Sequence, residues 1–235
     1  MSNSVLSVTN LSKTFYHRPI LTDLNLSVDR GEIMALMGRN GVGKSTFLRV
    51  LARVSAPTRG GIEFHGRSIL QSNPETRTGL LYLGHAPGLY PALTAVENLS
   101  IMTGLYGYPA GRPDILQVLQ RVGLTAQAYD PIKIYSQGML QRIKLALALL
   151  IDWDLLLFDE PFAGLDAQGK ALTEAVLQEW KTRGKTMLLV VHDFEWIWNY
   201  CTRLVILEAG SIGVDIPINP DSRDQGTALF REMVG

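Results

Sequence analysis

Apolar and polar positions alternate through "SVLSVTNLSKTF" and "ILTDLNLSVDRG", and a polar turn at Tyr16 to Pro19 separates the two runs, which predicts a pair of antiparallel strands. The pattern then changes. "EIMALMG", "GLLYLGH", "LLLFDE" and "TMLLVVHD" are nearly continuous in apolar residues, as strands are when a parallel sheet buries both of their faces. Between Leu83 and Leu150 the spacing becomes helical. "TAVENLSIMTG" opens on a capping box, Thr94 with Glu97 three residues on, and ends at Gly104; "DILQVLQRVG" runs from Asp114 to Gly123. A further amphipathic segment, "ALTEAVLQEWKTRG", closes at Gly184, and "RLVILEAGSIGVD" reads as a hairpin turning at Ala209 to Ser211. The expectation is an α/β chain with a mostly parallel central sheet, N-terminal antiparallel strands and an inserted helical subdomain. Residues 1–235 form one domain in this reading, with a core of 1–83 and 151–235 and a helical part at 84–150.

Composition narrows the function classes without choosing one. The 235 residues are 46% hydrophobic, enough for a well-packed core. Lys and Arg number 22, as do Asp and Glu, so no net charge advertises a nucleic-acid partner, and none is expected. The single cysteine, Cys201, cannot form an internal disulfide and is expected as a packing residue. The opening "MSNSVLSVTNLSKTF" lacks the basic-then-apolar layout of a secretion signal, and both features fit a reducing cytosol. The most apolar stretch, "LALALLIDWDLLLF", is broken by Asp152 and Asp154 and falls short of the roughly 20 residues of a membrane span.

Three motifs carry chemistry. "GRNGVGKST" matches G-x-x-x-x-G-K-S/T as Gly38, Gly43, Lys44 and Ser45, between a buried strand and the helical pattern "STFLRVLARV". Glycines let consecutive N–H groups point inward, and the helix adds its positive end, so the loop forms a concave polyphosphate site of the P-loop NTPase kind. Lys44 is expected to reach the outer phosphates and the Ser45 hydroxyl to join the shell of Mg2+. "LLLFDEP" ends a buried strand on two carboxylates: Asp159 is expected to hold Mg2+, directly or through water, and Glu160 to polarise the attacking water as general base. "YSQGMLQR" is a polar, glycine-containing turn feeding a helix, with Ser136 as its N-cap.

In order, with "PFAGLD" after Glu160 and "VVHD" after a further strand, these motifs resemble those of the ATP-binding cassette (ABC) ATPases over essentially the whole chain. The resemblance implies ATP held with Mg2+ by Gly38, Asn40, Gly41, Gly43, Lys44, Ser45 and Thr46, and hydrolysis served by Lys44, Glu160 and His192, the last as the switch histidine. Ser136 and Gly138 become signature residues that bind the γ-phosphate of ATP on a second copy, and Asp166 the residue that links the two sites. Phe15 takes the place of the adenine-stacking aromatic, with Tyr16 the near alternative; stacking suits any purine. The chain departs from the family twice. The usual Leu-Ser-Gly-Gly-Gln appears as Tyr135, Ser136, Gln137, Gly138 and Met139. His85 falls where a glutamine usually meets Mg2+ and the attacking water, a role a neutral imidazole could take as hydrogen-bond partner or ligand.

"YLGH…PG" and "ENL…GLYG" look like the ATPases of haem export or cytochrome c maturation, and "YSQGM.QR" like those of drug, lipid or polysaccharide exporters. The resemblance therefore implies an export ATPase subunit, a homodimer or a heterodimer with another such ATPase, working through separate integral-membrane subunits and lying on the cytoplasmic face of the membrane. Two alternatives stay open: a soluble ABC ATPase acting on nucleic acid or ribosomes, and a scaffold-type assembly ATPase. Against the first, the interval from Thr46 to Ser136 is too short for the long insertions of DNA-repair members; against the second, Glu160 and His192 are both present.

Overall fold

The computed structural model describes residues 3–70, 74–85 and 88–219. Its strands and helices are β1 (Ser4–Phe15), β2 (Arg18–Asp29), β3 (Ile33–Gly38), α1 (Lys44–Leu51), β4 (Arg59–Phe64), β5 (Arg67–Ser68), β6 (Leu80–Leu83), α2 (Ala95–Leu105), α3 (Arg112–Arg121), α4 (Gln137–Leu150), β7 (Leu155–Asp159), α5 (Ala167–Thr182), β8 (Thr186–Val190), α6 (Phe194–Tyr200), β9 (Arg203–Glu208) and β10 (Ser211–Pro217). The described residues group into two compact units. One holds the chain up to Gly84, Asp154–Asp159 and the residues from Trp180 on; the other holds His85–Trp153 and Glu160–Glu179. The expected helical part at 84–150 is thus joined by the segment after β7.

The first unit contains both sheets. An antiparallel sheet runs β2-β1-β4-β5, and a six-stranded sheet runs β10-β9-β3-β8-β7-β6, parallel except for the β9–β10 hairpin. Every residue of β3, β7 and β8 is buried, which is the physical content of their unbroken apolar runs. The core between the sheets includes Leu6, Leu24, Phe47, Leu48, Phe64, Leu157 and Leu188. Two elements carry no pattern in the sequence. β4 carries Gly60 and Gly61, poor strand formers, just after its first residue, and exists because it pairs with a bulged β1: a Cβ on Gly60 would lie 2.5 Å from the Asn10 carbonyl oxygen. α6, "FEWIWNY", is aromatic and β-branched, yet Asp193 caps it by accepting from the Trp196 N–H at 3.0 Å.

In the second unit α2, α3 and α4 pack on one another, and Leu99, Ile115, Leu119, Ile143 and Leu147 on them are buried. The capping box forms as the spacing predicts: Thr94 Oγ1 accepts from Glu97 N–H at 3.2 Å, and Glu97 Oε2 accepts from Thr94 N–H at 2.8 Å. Asn98, fully buried, holds the approach to α2. Its amide donates to the carbonyls of Tyr90, Leu93 and Thr94 at 3.1, 3.2 and 2.9 Å and accepts from Tyr90 N–H at 2.7 Å.

Asn98→Ala strands several of these groups, at about 1–3 kcal/mol for each that stays dry. A loss of about 2–3 kcal/mol is expected from the urea midpoint; an unchanged midpoint would show that the segment is held by other contacts. Burial also acts on tyrosines. It raises Tyr82, on β6, from 10.0 to about 12, aided by the Asp159 charge, and raises Tyr135 to about 12, aided by Asp130. Their contribution to stability is complete below about pH 10. Between there and about pH 12 the unfolded chain has lost protons that the folded one keeps, so stability falls as pH rises. Tyr82→Phe should flatten that decline in urea unfolding at pH 9 and 11; an unaltered slope would contradict the shift.

Candidate nucleotide-binding site

In the first unit the phosphate loop is shaped by where side chains are missing. Gly43 sits at φ 116°, and a Cβ there would lie 2.9 Å from Leu21 Cδ2 and 3.2 Å from Ile20 Cγ2, so glycine is required by both conformation and space. This packing sets the loop beside β2. Since Lys13 pairs with Leu21 and Phe15 with Arg18, the same contact brings the hairpin tip that carries Phe15 toward the loop. Phe15 is 42% exposed with Lys13 Nζ 4.4 Å from its ring centroid, and Tyr16 is 97% exposed, so both candidate rings stand in solvent. Lys44 is buried, and its ammonium donates to the carbonyls of Gly38 and Arg39 at 2.7 and 3.0 Å. These bonds curl the loop around the head of α1. No side chain caps α1, and the first N–H groups of a helix without such a cap are the donors an anion site uses. Asn40, Gly41 and Ser45 are exposed there, and Thr46 is half-buried.

Sheet register brings further groups to this end. Leu36 on β3 pairs with Val190 on β8, and Val190 pairs with Asp159 on β7, so one row crosses three parallel strands at their carboxyl ends, where open α/β sheets bind ligands. Gly38 follows Leu36 by two residues, and His192, exposed, follows Val190 by two. Asp159 is 1% exposed. Its carboxylate and the Ser45 hydroxyl are hard oxygen donors of the type Mg2+ takes, and among the described residues no group of three or more His, Cys, Asp or Glu could hold a metal unaided. A Mg2+ ion at these residues would take its remaining ligands from phosphate and water.

The second unit carries the other half of the expected residues. Ser136 caps α4 as predicted, its hydroxyl accepting from Met139 N–H at 3.2 Å. Gly138 backs onto Gly164, whose carbonyl oxygen would be 2.9 Å from an added Cβ, which is why this glycine stands while its neighbour in the common motif is Gln137 here. Asp166 caps α5 through Gly169 N–H at 2.7 Å and meets Arg142 at 3.4 Å, with the side chain 66% exposed. Glu160 has φ 53°, the left-handed region that a non-glycine residue enters at a cost of about 1–3 kcal/mol. That turn is held by a residue the motif reading passed over. Gln141, buried in α4, donates its amide to the carbonyls of Glu160 and Pro161 at 3.1 and 2.9 Å. His85, exposed, places Nδ1 3.7 Å from Glu160 Oε2. Its expected neighbours in "GHAPG", Ala86 and Pro87, lie outside the described residues.

Comparison with known proteins gives the family. The family model for the ABC transporter matches residues 21–163. The aliphatic sulfonates import ATP-binding protein SsuB 1 of Agrobacterium fabrum is 32% identical over 97% of this chain and 80% of its own. The lantibiotic transport ATP-binding protein SrtF of Streptococcus pyogenes is 34% identical over 80% of each. Among solved structures, an ATP-binding subunit of an ABC transporter superposes with a TM-score of 0.86 at 28% identity, covering 99% of this chain and 100% of that one. With a phosphate loop, a buried acidic strand end and a signature turn all in family order, the chain belongs to the ABC transporter family and is an ATPase.

Proposed function

We propose that the chain is the nucleotide-binding subunit of an ABC exporter, closing into a dimer on Mg-ATP and driving transport through separate integral-membrane subunits. The observation that carries this is the buried Lys44 ammonium resting on the carbonyls of its own loop. A cation so placed is poised to exchange part of that coordination for phosphate oxygens, and the glycine-shaped loop curls beside it. Ser45 and Asp159 hold Mg2+, which when bound draws charge from the phosphates. Glu160 orients and deprotonates the attacking water, and His192 meets the γ-phosphate. Phe15 stacks on adenine. Ser136 and Gly138 serve the nucleotide of the second copy, so each competent site needs two chains, and Asp166 connects the two sites.

Transport partners come from the character of the relatives. Their names speak of sulfonate import and of lantibiotic transport, so the cassette is common to transporters of different substrates. Export rests on the sequence likeness of "YLGH…PG" and "YSQGM.QR" to exporter ATPases. No helix among the described residues is long and apolar enough to cross a membrane, and the chain would sit peripherally on the inner face, docked to subunits that span it.

Gel filtration with Mg-ATP separates the roles. Lys44→Ala should lose about 10- to 100-fold in ATP affinity, the worth of one charge-assisted contact, and stay monomeric. Glu160→Gln should keep ATP affinity, lose hydrolysis and accumulate a dimer by mass action. Equal nucleotide binding by Lys44→Ala and parent would contradict the phosphate-loop assignment; a Glu160→Gln variant that hydrolyses like the parent would remove the base. Direction is read in inside-out vesicles carrying the membrane subunits. ATP-dependent accumulation of substrate in the lumen is expected, and ATP-dependent loss from preloaded vesicles would make the system an importer.

A further inference from the structure

α4 is apolar on its buried side, where Ile143, Leu145, Ala146, Leu147 and Ala148 pack, yet two polar residues one turn apart, Gln141 and Lys144, are buried with them, at 4% and 6% exposure. Dehydrating an ammonium is costly, and packing alone would be served better by an aliphatic residue. The Lys144 Nζ joins two groups: it donates to the backbone carbonyl of His85 at 3.0 Å and to Gln141 Oε1 at 3.0 Å. An ammonium only donates, so it fixes which way the Gln141 amide points. The oxygen faces Lys144, and the NH2 faces the carbonyls of Glu160 and Pro161. His85 and Glu160 themselves approach side chain to side chain at 3.7 Å. All five residues lie within one compact unit.

We propose that Lys144 is a positioning residue for hydrolysis: by gripping the His85 carbonyl on one side and orienting Gln141 on the other, it holds the His85 ring against the Glu160 carboxylate in its left-handed turn. This rests on the reading of Glu160 as the base. Nothing in the helical pattern demands a lysine at this place, and its bonds to the pair run through backbone carbonyls, directly at His85 and by way of Gln141 at Glu160. It acts as a staple between the His85 and Glu160 segments. Loss of the staple frees the His85 segment and lets the Gln141 amide turn over, which removes the donors that offset the strain at Glu160.

Lys144→Met keeps the length of the stem and removes the donors. In the full-length protein, kcat for ATP should fall about tenfold while KM for ATP changes less than about twofold, because the transition state depends on Glu160 and nucleotide binding does not. In a cycle with His85→Ala, the double variant should lose at least about threefold less than the product of the two single losses, since both act on one unit. Losses that multiply, or a raised KM with kcat intact, overturn the proposal. If Lys144→Met does not fold, Lys144→Gln enters the same cycle, where the same results support or overturn the positioning role. A readout free of turnover keeps this apart from the function itself. The chain has four histidines, and the ring resonance of His85, identified by its loss in His85→Ala, should move in Lys144→Met by more than its line width. An unmoved resonance overturns the positioning role whatever the ATPase rate, whereas a parent without ATPase activity strikes the proposed function instead.

Discussion

The register of the parallel sheet is the constraint on which the first unit depends. Leu36, Val190 and Asp159 share one row, and β3, β8 and β7 are buried on both faces. A slip of a single residue would turn every side chain of a strand to the opposite face. For strands with two apolar faces that costs little in the core itself, so what penalises a slip must be at the strand ends. There a displaced Asp159 would exchange places with Phe158 or Glu160, and Gly38, whose added Cβ would come 2.6 Å from the Leu207 carbonyl, would give way to a residue that does not fit. The polar chemistry at the carboxyl edge is therefore also what pins the apolar register behind it.

A second constraint acts in the helical unit, where backbone turns rather than strands carry the chemistry. The left-handed conformation of Glu160 aims a side chain that a regular continuation of β7 would send elsewhere, and conformations of this kind persist only when neighbours over-determine them. Gln141 supplies two hydrogen bonds to that turn, and the approach of Gly138 to Gly164 supplies the steric wall. Arg142, the next residue along the helix, reaches Asp166 at 3.4 Å. One turn of α4 thus touches the acidic loop, the start of α5 and, through Lys144, the His85 segment.

What could be read from the sequence divides along physical lines. Period and capping are local, so the buried strands, the Thr94–Glu97 box, the Ser136 cap and the β9–β10 turn were all legible. The phosphate loop was legible because its glycines and lysine answer to a chemistry that few other sequences satisfy. β4 and α6 were not, since a glycine pair and a β-prone aromatic run take their form from pairing with β1 and from the Asp193 cap. The helical unit extends over 160–179, beyond its expected bounds, for a similar reason: contact, not periodicity, assigns that segment. Gln141 and Lys144 left no mark, because a glutamine and a lysine in a helix normally signal a solvated face.

The two departures from the family motif answer to different pressures. Gln137 in place of a glycine is accommodated by the opposing loop: a Cβ on Gly164, itself at φ 70°, would lie 2.8 Å from the Gln137 Cβ, so glycine at 164 leaves the room that Gln137 takes. His85 is a chemical change. Its ring is exposed, unlike the buried anchors around it, while its carbonyl accepts from Lys144. A residue fixed by the backbone and exposed at the ring can change its side chain without changing the fold, and the Glu160 carboxylate 3.7 Å away is the group the ring meets. The fold therefore tolerates variation at this position.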